Sequence, residues 1–156
     1  MKIKKGDKAL EFSLNDTGGK EISLADLQNK GKGDTLLLFF PLAFSRICTD
    51  ELCTTRDNMK FYNSLNANVA AISTDSFFTL REFKKLNNLN FILLSDYNRE
   101  VSAKYGALYE DYYGMKGVSK RAAFIIASDG IVKYAEVLDD SDKQPDFKTI
   151  QKSLMS

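Results

Sequence analysis

The chain of 156 residues contains no histidine. That one absence removes Ser–His–Asp and Cys–His catalysis, along with every His-ligated metal centre. Cysteine is scarce too: Cys48 and Cys53 are the only two, too few to close a four-ligand zinc site. No apolar run reaches the roughly 18 residues needed to cross a bilayer, so no membrane role is expected. The opening, MKIKKGDKALEFSL, is basic but lacks the apolar stretch of about 7–15 residues that a signal peptide carries. A cytoplasmic address is expected, where a stable structural disulfide is unusual and cysteine serves packing or chemistry. Neither sign of charge is in excess. Lys plus Arg total 22 against 21 for Asp plus Glu, a net +1, which argues for neither nucleic acid nor an anionic surface as partner. Four lysines in the first eight residues read as a solvated terminus, too short to form a binding stripe.

What is present reads as one domain over residues 1–156. Hydrophobic residues make up 44% and charged residues 28%, a globular balance. A chain of this length buries about two thirds of the surface it exposes unfolded. Alternating segments at 11–14 and 21–24 flank Asp16-Thr17-Gly18-Gly19 and predict a hairpin. Gly31-Lys32-Gly33-Asp34 is a turn, followed by the apolar run Thr35 to Phe40, which reads as a strand buried on both faces. Pro41 stops it. A helix is expected from Cys48-Thr49-Asp50-Glu51, with Leu52, Thr55, Met59 and Tyr62 at helical spacing.

Further strands are predicted at 68–73 and 91–95. A helix over 76–88 should present Phe77, Leu80, Phe83 and Leu86 on one face, and Val101 with Tyr105 marks a short helix. Segments 122–127 and 131–137 form a hairpin about Ser128-Asp129-Gly130. A last helix starts at Pro145 and buries Phe147, Ile150 and Leu154. Strands alternating with helices imply parallel crossovers, and the closing hairpin makes the sheet mixed. The fold class is α/β, with the element order of a thioredoxin-like domain carrying an N-terminal β-hairpin extension.

Cys48 stands at a helix start behind a buried strand, where unpaired first-turn N–H groups and the helix dipole favour an anion. A buried, inert thiol is the alternative use of such a residue. Its neighbours point to chemistry. Residues 39–51, Phe-Phe-Pro-Leu-Ala-Phe-Ser-Arg-Ile-Cys-Thr-Asp-Glu, contain Pro-x3-Ser-x2-Cys-Thr-x-Glu. The segment resembles the active-site loop of the peroxiredoxins, Pro-x3-(Thr/Ser)-x2-Cys, and its Phe-Phe-Pro-Leu-Ala-Phe is similar to the AhpE-type subfamily. The resemblance runs from about Lys5 to the last helix.

The resemblance implies that Cys48 is the nucleophile that attacks a peroxide and becomes a sulfenic acid. It gives Ser45 a hydrogen bond to the peroxide through its hydroxyl, and has Pro41 pack over the sulfur and shield it from water. Arg121 matches the family arginine that enters the site from a distant strand, and Glu51 would hold that guanidinium. Arg46 and Lys120 are rival cations that the sequence does not place.

Lowering a thiol's pKa by two units from about 8.5 raises the thiolate fraction about 25-fold at neutral pH. Reduced nucleophilicity returns roughly sevenfold to tenfold of that. Fast peroxide reduction must therefore rest mainly on donors aimed at the leaving oxygen, for which Arg121, Ser45 and the Cys48 N–H are candidates.

The spacing Cys48-x4-Cys53 differs from the Cys-x2-Cys of thioredoxin and resembles the resolving cysteine of PrxQ-type peroxiredoxins. Residues five apart in an intact helix have Cα atoms about 8.7 Å apart, turned by about 140°. A disulfide wants about 7 Å or less, so the pair closes only if the first turns unwind. Cys53 is then either the resolving thiol or a small buried hydrophobe, the second giving a one-cysteine mechanism.

The expected activity is a thiol peroxidase reducing hydrogen peroxide or organic hydroperoxides, recycled by thioredoxin or a similar dithiol reductant, without metal or organic cofactor. A thiol–disulfide oxidoreductase and a non-enzymatic redox module are the other classes. The resemblance leaves monomer and homodimer both open.

Overall fold

The computed structural model describes residues 3–156; Lys2, first of the early lysines, lies outside them. Among the described residues one seven-stranded sheet runs in the order β2-β1-β5-β4-β3-β6-β7. The predicted hairpin is β1 (Ser13–Asp16) and β2 (Glu21–Ser23), and it docks antiparallel on β5 (Ile92–Ser95) at one edge. The centre is parallel: β3 (Thr35–Phe39) pairs with β4 (Asn68–Ser73), and β4 with β5. On the other flank β6 (Arg121–Ile126) runs antiparallel to β3, and β7 (Val132–Leu138) to β6. The mixed α/β sheet is the one expected.

Alternation along β3 divides the core between the two sheet faces. Leu36, Leu38 and Phe40 pack on one side with Cys48, Leu52, Tyr62 and Phe83. Leu37 and Phe39 pack on the other with Tyr105, Phe124 and Leu27. Every β3 residue is buried, and at roughly 1.5–3 kcal/mol per buried large side chain this burial outweighs local propensity. The turn before β3 needs its glycines: a Cβ at Gly33 would sit 2.6 Å from the Leu65 carbonyl oxygen and one at Gly31 2.6 Å from that of Asn66.

The helices differ from expectation in four places. Helix α1 (Leu24–Lys30) follows β2 directly, where the sequence reading continued the strand to Leu24; a capping box between Ser23 and Asp26 starts it. The single helix expected beyond Cys48 is two, α2 (Arg46–Asp57) and α3 (Met59–Ser64). Asn58 lies between them at φ −102°, ψ 5°, which turns the chain without a proline or glycine. Helix α4 (Phe77–Leu86) buries Leu80 and Phe83 but leaves Leu86 exposed and Phe77 half-buried. Helix α5 (Glu100–Lys104) is as short as expected. Helix α6 (Phe147–Met155) begins after Pro145: the Asp146 carboxylate accepts the Thr149 N–H as N-cap, and Phe147 is only half-buried.

Candidate active site

The site forms where β3 gives way to α2. Pro41 is buried at the end of β3, and the chain then turns through Phe44, whose φ of 72° is rare for a bulky residue. The turn is tied to the next crossover. The Ala43 N–H donates to Asp75 Oδ2 (2.8 Å), as does the Ser73 hydroxyl (2.7 Å), and the Phe44 ring packs edge-on against Phe83 at 5.2 Å. Burial pushes the Asp75 carboxyl above its usual range, with those two hydrogen bonds pulling the other way.

Ser45 is the N-cap of α2 by backbone alone. Its hydroxyl donates to the Leu42 carbonyl (2.8 Å), while its own carbonyl accepts from the Thr49 N–H (2.9 Å) and hydroxyl (2.8 Å). The first helical hydrogen bond therefore begins at Thr49. The amides of Arg46, Ile47 and Cys48 belong to the unpaired first turn, where negative charge is favoured. Helix α2 starts two residues earlier than the sequence reading placed it, and Cys48 still falls in that turn.

Strand pairing brings the cation. Ala122 of β6 lies opposite Phe39, so Arg121 lies opposite Phe40, and alternation turns Arg121 to the same face as Ala123 and Ile125, the face α2 covers. Its Nη1 is 3.4 Å from Cys48 Sγ and donates to Glu51 Oε1 at 2.6 Å; its Nη2 donates to the Ser141 carbonyl at 2.8 Å. Glu51 follows Cys48 by three positions on α2, which puts both on one helix face.

Arg121 is 1% exposed, and Cys48 and Glu51 not at all. Burial pushes the Glu51 carboxyl up to about 7, against the pull of the guanidinium. For Arg121 burial disfavours the charge, but the Glu51 carboxylate and Cys48 sulfur outweigh it and hold the guanidinium above its usual range. Glu51 Oε2 and Arg121 Nε, with Ser102 Oγ elsewhere, are the buried side-chain polar atoms without a hydrogen-bond partner among the described residues.

Of the three cations the sequence offers, Arg121 is the one placed at the sulfur. Arg46 is exposed, and Lys120 pairs with Asp139 at 2.8 Å. A cavity of about 210 Å³ opens onto the guanidinium, lined by Ser45, Arg46, Ile47 and Arg121, and by Tyr112, Ser141 and Asp142. Cavities of about 300 and 330 Å³ lie elsewhere, and Arg121 lines neither. Tyr112, Ser141 and Asp75 are participants that the sequence reading missed. Ser141 meets the guanidinium through its carbonyl, which no residue type announces; the tyrosine cluster at 109, 112 and 113 was the available signal for Tyr112.

Cys53 sits apart. It is half-buried, its Sγ is 3.8 Å from Asn87 Oδ1 at the C-cap of α4, and Arg56 Nη1 holds the Asn87 carbonyl at 2.7 Å. Both cysteines are free, on one unbroken helix. Among the described residues no three His, Cys, Asp or Glu side chains gather to hold a metal, and no helix is long and apolar enough to cross a membrane.

The sheet and the sequence that builds this site have counterparts in known proteins. Residues 5–135 match the AhpC/TSA family. Peroxiredoxin Bcp of Escherichia coli is 35% identical over 140 residues, covering 88% of this chain and 86% of its own. The mitochondrial thioredoxin-dependent peroxide reductase of Mus musculus is 37% identical over 128 residues, 77% of this chain and 47% of its own. The crystal structure of peroxidoxin BcpB from Mycobacterium tuberculosis superposes with a TM-score of 0.87 at 28% identity, covering 98% and 97% of the two chains. With a sheet and a cysteine site of this kind, the chain belongs to the AhpC/TSA family and is a peroxiredoxin, a thiol-dependent peroxidase with a thioredoxin-like fold.

Proposed function

We propose that this chain, acting as one domain over residues 1–156, reduces hydrogen peroxide or organic hydroperoxides at Cys48, is resolved by Cys53 and is recycled by thioredoxin or a similar dithiol protein. The observation that carries the reading is the Arg121 Nη1 atom 3.4 Å from Cys48 Sγ, at a helix start and beside an open cavity. In the first step the Cys48 thiolate attacks one peroxide oxygen. The S–O bond forms, the O–O bond breaks, and the departing oxygen leaves as alcohol or water after taking a proton. Sulfur is oxidised by two electrons to the sulfenic acid and the peroxide is reduced by two.

Arg121 and the Cys48 N–H stabilise negative charge on the leaving oxygen. The Ser45 hydroxyl, its proton given to Leu42, offers lone pairs to the peroxide O–H. Pro41 shields the sulfur, and Glu51 aims the guanidinium. The Cys53 thiolate then attacks the Cys48 sulfur; the S–S bond forms, and hydroxide departs and is protonated to water. Thiol–disulfide exchange with the reductant restores both thiols.

Resolution requires the first turns of α2 to unwind, because Cys48 and Cys53 share an intact helix. The name of the murine relative supports a thioredoxin-type reductant. A cytoplasmic setting, a monomer or homodimer, and the absence of nucleic-acid or membrane partners complete the proposal. The one-cysteine alternative draws on the placement of Cys53 against Asn87 rather than toward Cys48.

Fully reduced protein given one equivalent of hydrogen peroxide without thiol separates the readings by intact mass and peptide mapping. Loss of two hydrogens with Cys48 linked to Cys53 is the expected result. One added oxygen on Cys48 alone makes the enzyme a one-cysteine peroxidase. Unmodified protein with the peroxide still present overturns the proposal.

A further inference from the structure

Segment 107–119 forms an arm over the site. Ala107 and Lys120 close its base through a 2.8 Å backbone bond, Leu108 bridges Ser119, and Tyr112 and Met115 exchange N–H···O bonds of 2.8 and 2.9 Å across the tip. The two tip residues, Tyr113 at φ 53° and Gly114 at φ 84°, both lie in the left-handed region, as a tight hairpin turn demands. Gly117, at φ 77°, is also in the left-handed region, and its carbonyl accepts Arg99 Nε at 3.0 Å. The arm is built to hold a shape.

Its tyrosines reach across to the loop after β7. Tyr109 and Tyr112 stack at 4.9 Å; the Tyr109 hydroxyl donates to the Asp139 carbonyl (2.6 Å) and the Tyr112 hydroxyl to Ser141 Oγ (3.0 Å). Lys120 joins them, its ammonium 5.6 Å from the Tyr109 ring and paired with the Asp139 carboxylate. The loop so held presents the Ser141 carbonyl that accepts Arg121 Nη2, while Nη1 faces Glu51 and Cys48. One end of the guanidinium is thus fixed by a carboxylate on α2, the other by a surface loop whose position depends on the arm.

We propose that Tyr112 is a positioning residue of the peroxide-reducing step, acting through Ser141 to hold the Arg121 guanidinium on the Cys48 sulfur. A guanidinium fixed at one end pivots about that bond, and donors aimed at a transition state lose effect when they move. This inference rests on the proposed function for its kinetic form but has a second readout that does not. The test uses full-length protein in a Cys53→Ser background, comparing Tyr112→Phe with its parent. The substitution keeps the ring at the cavity mouth and deletes the hydroxyl.

First-turnover consumption of hydrogen peroxide should slow about fivefold, the effect of one lost hydrogen bond. Alkylation of Cys48 by iodoacetamide at pH 7 should also slow, because the cation beside the sulfur is less well held. In an Arg121→Lys background, with no Nη2 to place, Tyr112→Phe should change neither rate. Equal rates for Tyr112→Phe and parent in both assays overturn the inference, as does the same fractional loss with and without Arg121. If the parent itself leaves peroxide intact, the proposed function fails, and the alkylation comparison alone then decides the role of Tyr112.

Discussion

Two thiols on one helix have opposite surroundings. Cys48 is fully buried at the start of α2, beside a guanidinium and one turn from a carboxylate; Cys53 is half-buried, with its sulfur at the end of α4. Burial alone would make Cys48 the inert member of the pair. What sets Cys48 apart is its place: it lies in the first turn of α2 with Arg121 Nη1 3.4 Å from its sulfur, whereas Arg56, three positions after Cys53, donates to the Asn87 carbonyl. The lesson is that exposure does not measure the reactivity of a thiol. The positive groups around it and their fixity do.

The comparison breaks most sharply at Arg121. Arg121→Ala should lower the rate of peroxide reduction by about 10²–10³, the scale of a lost charge-stabilising donor. It should also leave the buried Glu51 carboxyl protonated and without its partner, at a cost to stability of roughly 1–3 kcal/mol. Rapid-mixing kinetics and urea unfolding check the two effects. The rate loss should exceed the change in thiolate fraction measured by alkylation; equal thiolate-corrected rates would return Cys48 to an ordinary thiol.

The next test concerns pH. Because burial raises the Glu51 carboxyl from 4.5 to about 7 in the folded protein, the native state binds the proton more tightly than the unfolded chain. The resulting stability is fully present below about pH 4.5 and is lost as pH rises through about 7. Glu51→Gln should flatten this part of the stability profile, as followed by unfolding at pH 4.5, 6 and 8. An unchanged slope would mean that the cluster is neutralised in another way.

The smallest expected effect sharpens the other half of the contrast. Asn87→Ala removes the amide that meets the Cys53 sulfur and the Phe83 carbonyl. Alkylation of Cys53 should quicken by a factor of about two to five, the value of one weak hydrogen bond, while Cys48 is unaffected.

The elements that burial alone determines were legible in the sequence. Segment 68–73 reads as a strand and is β4 without change, because all six residues are buried and the run is apolar save for its ends. The break at Asn58 was not legible, since Leu52, Thr55, Met59 and Tyr62 keep helical spacing across it and all four are buried. Helix α1 had a signal that went unread, the Ser23-x-x-Asp26 capping box, masked by the alternating run before it. At the site, local pattern placed Cys48 at a helix start, while the roles of Glu51 and Arg121 came from the resemblance alone. The register of β6 on β3 settles the position of Arg121, and register is a tertiary property. The Ser141 carbonyl and the tyrosine that steadies its loop depend on where a loop falls, which side-chain patterning does not encode.

The 73 positions between Cys48 and Arg121 have a consequence for how the enzyme comes into being. Both cysteines emerge from the ribosome well before β6 has been synthesised, and in that interval the sulfur has no guanidinium. Contacts this distant in sequence form late, after the entropy of closing the intervening chain has been met. On the proposed function, a nascent or partly folded chain therefore lacks the Arg121 donor at Cys48 until β6 docks on β3. The cysteine and its cation are thus joined only by completion of the sheet.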